Sequence, residues 1–491
     1  MPATLESRSP ATGERLGTVE AAAPGAVREA AARALVAQPL WANVPASARA
    51  RYLRRAARAA LDDLDALALL LAHESGRPRT EAVLGELLPS IAGLSELADD
   101  GPGALGDRRL GRPALLRVGR RALGVQEPRG VVGVLAGPTS PWTEPLLEVA
   151  AALLAGDGVV FVPAAPLAGE RVRELFVRAG VPGELLAIAH GEHAAAELEA
   201  ATARVVSVAN APARAAMLVL GGAALEQVAA AALWAAFAAG GRHPAAVSRL
   251  VCVPSVAEPL VGLLRTRAEE LRVGDPAREE AEVGPLRSHE DLAHVEALVA
   301  EAVAGGAELV CGGRTAVPGL AGAFYAPAVL RRVPADARIL ANPAPGPVLA
   351  VVEARDEASA IGMAAAAAAP APGDRRARGT VVSIWAGDRP KGERVARTVG
   401  AEQAWVNEHG VVAPGPALRL ARHVAPRQIA SRPALLSGAR RLPYDPALVR
   451  ARTAAARFAH GRESDRLAVL RRDAVPLARA AIRLGAGLLR R

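Results

Sequence analysis

Apolar residues recur every three or four positions from Pro24 through Ala59 and on to Glu74 (Val27, Ala31 and Leu35; then Leu53, Ala56, Ala60 and Leu64). This is the spacing of amphipathic helices, so the chain opens helically. Between Arg117 and Val134 the pattern becomes extended, with Ala122-Leu-Gly-Val-Gln126 and Val131-Val-Gly-Val-Leu135 as strand-like runs. A helical stretch from Leu146 to Leu154, the strand-like Val159-Val-Phe-Val162 and a helix from Gly169 to Arg178 follow. The alternation continues through Leu185 to His190, Val205 to Val208 and Leu250 to Val253, then a helix from about Leu292 to Gly305 and the strands Glu308 to Cys311 and Val348 to Val352. Strands and helices in turn predict parallel α/β layers arranged as two α/β domains. Met363 to Pro372, with six consecutive alanines and two prolines, reads as a helix end and a loop. Beyond Tyr444-Asp-Pro446 the composition shifts to Arg, Ala and Leu, which marks a last boundary.

A chain of 491 residues that is 51% hydrophobic and 22% charged has cores of ordinary size to bury and is not a disordered polymer. Its two cysteines, Cys252 and Cys311, cannot form a disulfide framework, and Met1 to Pro10 carries Glu6 and Arg8 where a signal peptide needs its apolar core. A reducing, cytoplasmic setting is the expectation. The most apolar runs are broken by Glu148 and Asp157 and by Glu226 and Gln227, so no membrane span is expected. Charge changes the picture only at the end. Residues 447–491 hold eleven Arg against Glu463, Asp465 and Asp473, a balance of +8 out of the +9 of the whole chain. From Ala474 to Arg491 apolar and arginine positions fall on different helix faces, which predicts a cationic amphipathic helix. Such a helix docks on its own chain or a neighbouring subunit, or lies peripherally on an anionic membrane at its inner face; with Phe458 as the one aromatic in the tail, no nucleic-acid partner is expected.

Short motifs arrive in a set order: Glu74-Ser-Gly-Arg-Pro78, Glu127-Pro-Arg-Gly-Val-Val-Gly133, Pro141-Trp142 with Pro145-Leu-Leu147, Leu220-Gly-Gly222, Arg249, Val283-Gly-Pro-Leu286, Phe324-Tyr325 with Pro327, Gly346-Pro-Val-Leu349 and Trp405-Val-Asn407. This order resembles the aldehyde dehydrogenase superfamily, from Ser9-Pro-Ala-Thr-Gly-Glu14 to about Tyr444. The resemblance implies an α/β aldehyde dehydrogenase-like fold of two parallel α/β domains with a small β oligomerisation arm. On that basis residues 1–107 with 129–218 form the dinucleotide-binding-like domain, 108–128 with 423–446 the arm, 219–422 the catalytic-like domain and 447–491 a basic C-terminal extension.

The family's reaction needs a thiolate nucleophile, amide groups that hold the oxyanion, a nicotinamide that takes hydride and a carboxylate that activates water. The family cysteine lies seven residues beyond a Phe and five before an Arg; Phe237 and Arg249 keep that spacing, and the position between them is Pro244. Proline offers neither a nucleophile nor a backbone N–H. The resemblance puts Val219 at the general base and Thr143 at the asparagine of Pro-Trp-Asn. Around the NAD or NADP that the family implies, it places Trp142, Val162 (for a ribose-binding lysine) and Pro163, Ser207 in the phosphate loop, and Pro343 and Pro345 for the Glu-x-Phe pair at the nicotinamide ribose. Cys252 and Cys311 each sit in an apolar strand-like run, which makes both buried structural thiols, and His243 is a neighbour of the lost site without an identifiable partner. No metal site is expected. Residues that shape turns persist where residues that only chemistry requires are gone. The reading is a pseudo-dehydrogenase with a scaffold, sensing or partner role, as a homodimer or homotetramer or beside an active homologue. The alternative is NAD(P)-dependent oxidation of an aldehyde to its acid by a relocated nucleophile.

Overall fold

The computed structural model describes residues 3–110, 121–208, 215–243, 245–369, 380–410 and 415–431, with isolated positions 446, 449, 450, 453, 454, 457 and 475 beyond them. The chain divides into two units, Met1–Ala104 with Pro128–His423 and Leu105–Glu127 with Val424–Arg491. In the second unit, Arg108–Arg109, Arg121–Pro128 and Val424–Ser431 form a three-stranded sheet, with Arg427 donating to Glu127 at 2.9 Å. The expected amphipathic helix at 474–491 and most of the extension 447–491 lie outside the described residues, as does the loop expected beyond the helix Glu357–Ala368.

The first unit begins with an antiparallel hairpin, Thr4–Arg8 and Arg15–Glu20, that the periodicity did not announce because each strand is short and largely exposed. The helices Ala26–Ala42, Ala46–Asp62 and Leu64–Ser75 occupy the stretch expected to be helical. Two sheets follow. The first is wholly parallel, in the order Leu186–Ile188, Gly158–Val162, Val131–Ala136, Arg204–Val208. The second runs Glu308–Thr315, Phe324–Arg331, Val348–Glu353, Val247–Cys252, Ala215–Val219, Val381–Trp385, Gln403–Val406. It departs from the parallel expectation at one edge, where Glu308–Thr315 pairs antiparallel with Phe324–Arg331. The eight residues 316–323 between them are too few for a crossover helix but enough for a hairpin. Among the described residues no helix is long and apolar enough to cross a membrane.

The opening helices are welded to the first sheet through the end of one helix, Thr143–Ala155. A helix leaves its last carbonyls without intrahelical partners. Here Trp41 Nε1 donates to Leu153 O at 2.8 Å, Arg49 Nε to Leu154 O at 2.9 Å, Arg49 Nη2 to Ala155 O at 3.3 Å and Gln38 Nε2 to Gly156 O at 2.8 Å. The same guanidinium reaches Trp41 O, Ala42 O (3.0 Å) and Val44 O, so it also caps the helix Ala26–Ala42. Arg49 is buried. Farther along the same helix the fully buried Glu148 accepts from Arg419 (2.6 Å), Arg422 (2.7 Å) and His423 Nε2 (2.7 Å). Burial alone would raise its carboxyl, but the His423 bond and the two arginine charges outweigh burial and hold it below the usual carboxylate range.

Arg49→Ala strands several buried carbonyls at once and is expected to cost roughly 3 kcal/mol or more, read as a lowered urea midpoint of the first unfolding transition. Arg49→Lys should recover only part of that, because an ammonium on one stem cannot span two helix ends.

Candidate functional site

The second sheet brings the residues of interest to opposite ends of its central strands. In register, Val247 pairs with Ala215 and Cys252 with Val219, while Trp385 also pairs with Val219. Val219 therefore closes the carboxyl end of its strand, fully buried, while the loop 238–243 lies before the amino end of the neighbouring strand Val247–Cys252. Five residues of strand separate the two ends, about 15 Å. The structure thus does not bring Val219 to the nucleophile loop, which corrects the placing of the general base at Val219. The signal that misled is the Leu220-Gly-Gly222 after it, which here makes the turn against Gly387: Leu220 N–H donates to Trp385 O at 2.8 Å, and a Cβ at Gly222 would meet Gly387 Cα at 3.6 Å.

Pro244 lies outside the described residues; its neighbours do not. Ala239, Gly240 and Gly241 are all left-handed, with φ of 55°, 62° and 75°. The Ala239 N–H donates to both carboxylate oxygens of Glu81, at 2.9 and 2.7 Å, and Arg242 Nε donates back to Ala239 O at 2.9 Å. Gly241 presses its backbone on Gly346, so a Cβ there would clash with the Gly346 carbonyl. That contact sets the loop beside residues 343–346, which carry Pro343 and Pro345, both half-buried. Ala245 N–H donates to His243 Nδ1 at 3.2 Å, and Ala245 O receives His409 Nε2 at 3.1 Å, with His409 Nδ1 accepting from Ser383 Oγ at 2.5 Å.

Above the loop opens a cavity of about 840 Å³. Its walls include Arg77, Glu81, Leu84, Trp234, Phe237 and His243. Burial lifts Glu81 to about 7, against the lowering effect of the Ala239 N–H and of Arg77 and Arg242. Burial, then the charge of Arg77, pushes His243 down to about 4, so its ring is neutral. Glu81 and Trp234 went unnoticed in the sequence, where a carboxylate amid helical Ala and Leu reads as a solvated face. No thiol joins them. Cys252 and Cys311 are both buried, as expected, with burial pushing Cys252 up to about 12 and raising Cys311, the opposite of an activated nucleophile.

The first sheet offers the other half of the expected site. In such sheets a dinucleotide lies off the carboxyl ends of the strands, its phosphates on free N–H groups at a helix N-terminus. Here Thr143 N–H is held by Glu86 Oε2 at 2.7 Å, and Thr143 Oγ1 also contacts Glu86 at 2.7 Å, so Thr143 faces an internal carboxylate. Glu86 is itself paired with buried Arg77 at 2.6 Å, and Trp142 Nε1 donates to Ser90 Oγ at 3.1 Å. At the next helix, Pro166–Arg178, the N–H groups of Leu167 and Ala168 both donate to Glu74 at 2.8 Å. Val162 and Pro163 are buried at the strand end, with Gly169 seated against Pro163. The fourth strand, which holds exposed Ser207, is joined to the second sheet by six residues, 209–214. At these two helix N-termini the N–H groups of Thr143, Leu167 and Ala168 are already held by Glu86 and Glu74, so the described residues there do not fit the phosphates of NAD or NADP. Among the described residues no group of three or more His, Cys, Asp or Glu is placed to hold a metal.

A left-handed alanine costs about 1 kcal/mol relative to glycine. Ala239→Gly should therefore be neutral or stabilising, with an unchanged or raised thermal midpoint, where alanine-to-glycine in a helix would lower it.

A sequence model described as "Aldehyde dehydrogenase family" matches residues 2–209 and 196–417, and the first stretch ends where the six-residue connection begins. The betaine aldehyde dehydrogenase of Cereibacter sphaeroides is 28% identical over 430 residues, covering 82% of this chain and 85% of that protein. The NADP(+) succinate-semialdehyde dehydrogenase of Escherichia coli is 28% identical over 395 residues, covering 73% and 79%. Among solved structures, the aldehyde dehydrogenase of Brucella melitensis biovar abortus 2308 has a TM-score of 0.78 at 21% identity, over 88% of this chain and 94% of that one. Matched by the family's sequence model from residue 2 to residue 417, in the fold of its solved relatives, the chain belongs to the aldehyde dehydrogenase family.

Proposed function

We propose that this chain is a pseudo-dehydrogenase, an aldehyde dehydrogenase fold that acts by binding rather than by turnover. The observation that carries the reading is Pro244 at the place of the family's thiol, in a chain whose two cysteines are buried and raised away from the thiolate form. Two further observations support it. The connection Ala209-Asn-Ala-Pro-Ala-Arg214, which leads into the end of the central strand on the loop's side, contains no acid to serve as a general base. The helix N-termini of the first sheet are engaged by Glu74 and Glu86. The role that remains is scaffold, sensor or partner, in a homo-oligomer or beside an active homologue, in the cytoplasm. The extension 447–491 is its candidate for docking on a subunit or an anionic membrane surface. Domain limits at 107, 128, 218 and 422 are part of this proposal.

The test is the purified chain with NAD or NADP and a panel of aldehydes that includes benzaldehyde, betaine aldehyde and succinate semialdehyde. Absorbance at the reduced-nicotinamide band should stay at the blank, and calorimetry should find no cofactor binding tighter than about 1 mM. Reduction that disappears in Cys252→Ala would establish the relocated-nucleophile enzyme instead, and a dissociation constant below ~50 μM would refute the loss of cofactor binding and revive that enzyme reading.

Pro244→Cys should restore no NAD(P) reduction, at most slow ester cleavage. The new thiol would still lack a base and a held nicotinamide, and groups that act as a unit do not recover one at a time.

A further inference from the structure

The cavity beside the loop 238–243 is walled by Leu84, Leu233, Trp234, Phe237, Leu271 and Val283, and its size lies within the range of small-molecule sites. Trp234 is half exposed and packs edge-on to His409 and tilted to His243, so one aromatic surface is held rigidly with open space beside it. Every arginine on the wall already has a carboxylate. Arg77 is paired with Glu86, Arg267 with Glu226, and Arg272 with Glu282 at 3.4 Å. A ligand carboxylate would have to compete with these carboxylates for the guanidinium groups. Thr80 and Glu270 on the wall are exposed and Glu279 pairs with Arg79 at 3.5 Å, and the polar handle against Trp234 is His243: its Nδ1 accepts from Ala245, so the neutral ring carries its proton on Nε2, for which no described group is the acceptor. Glu81 is spent on Ala239.

We infer that this cavity takes an uncharged, largely apolar ligand with a ring-bearing body and an oxygen that accepts a hydrogen bond from His243 Nε2, and that it discriminates against carboxylates. The inference deepens the pseudo-dehydrogenase reading, on which it rests for a ligand that is held and not oxidised. It also separates the chain from relatives named for succinate semialdehyde, a carboxylate-bearing aldehyde. Discrimination here comes from what the arginines already hold, which is a repulsive element as much as an attractive one.

The experiment compares three probes of one shape by calorimetry on the full chain: biphenyl-4-methanol, biphenyl-4-carboxylate and biphenyl-4-ylmethylammonium. The alcohol should bind at least tenfold more tightly than either charged probe. Leu84→Glu, at an exposed wall position, should weaken the alcohol at least tenfold while leaving the thermal midpoint near wild type. Glu226→Gln and Glu282→Gln, which free Arg267 and Arg272 at the rim, should narrow the gap by strengthening the carboxylate. Equal or tighter binding of either charged probe, no binding of the alcohol, or an alcohol affinity untouched by Leu84→Glu would overturn the inference. Because these are affinities of non-reacting probes, they stand apart from the turnover assay. Formation of NAD(P)H would end the pseudo-dehydrogenase reading and leave the charge selection as measured, whereas failure of the probes leaves the turnover result intact.

Discussion

The open carbonyls at the end of the helix Thr143–Ala155 are the constraint around which the first unit is built. Four consecutive carbonyls, from Leu153 to Gly156, accept from Trp41, Arg49 and Gln38, three side chains of the opening helical segment. Because the Arg49 guanidinium also takes the last carbonyls of the helix Ala26–Ala42, one side chain ties two helix ends that are more than a hundred residues apart in sequence. A planar fork with five donors suits this arrangement, and burial makes each bond matter, since an unpaired buried carbonyl finds no water. At its other end the same helix meets Glu86 through Thr143, and along its side it holds Glu148 against Arg419, Arg422 and His423. Segments near residues 40, 86, 150 and 420 are thereby joined through one helix.

That arrangement makes no use of a catalytic group. The family-like residues that persist are bound up in structure. Glu74 caps the helix Pro166–Arg178 and accepts from Ser7 Oγ at 2.7 Å. Gly76, with φ of 72°, lies where a Cβ would press on Pro10 at 2.8 Å and Pro285 at 3.1 Å, so the segments around residues 10, 76 and 285 meet only because it has none. Asn407, left-handed at φ 56°, accepts from Ala386 N–H at 2.8 Å. Each of these is costly to replace whether or not an aldehyde is ever oxidised.

Much of the fold was legible because alternation of period is a local signal. Val131 to Leu135, Val159 to Val162 and Val348 to Val352 are apolar on both faces and became parallel strands, and the three-and-four spacing before Glu74 became three helices. The antiparallel edge Glu308–Thr315 was hidden because its direction depends on the length of the following turn rather than on its own residues. The site was less legible. Leu220-Gly-Gly222 made Val219 look like the end of a catalytic motif, and only the register with Val247 and Cys252 shows that Val219 faces the far end of the sheet. Glu81 and Trp234 were invisible for a related reason: their partners, Ala239 and His409, come from elements brought beside them by tertiary packing.

The loop at residues 238–243 is held in place by other segments of the chain. Its left-handed course is imposed from outside, by the Glu81 carboxylate on the Ala239 N–H, the Arg242 side chain on the Ala239 carbonyl and the backbone of Gly346 against Gly241. A strained turn persists only when its surroundings over-determine it. Of these, Glu81 also walls the cavity, so the contact that holds the Ala239 N–H helps to shape the hollow. The hollow is walled by residues of the helix Leu225–Phe237 and of the segments 77–85 and 267–283, so it is a property of the scaffold that these form.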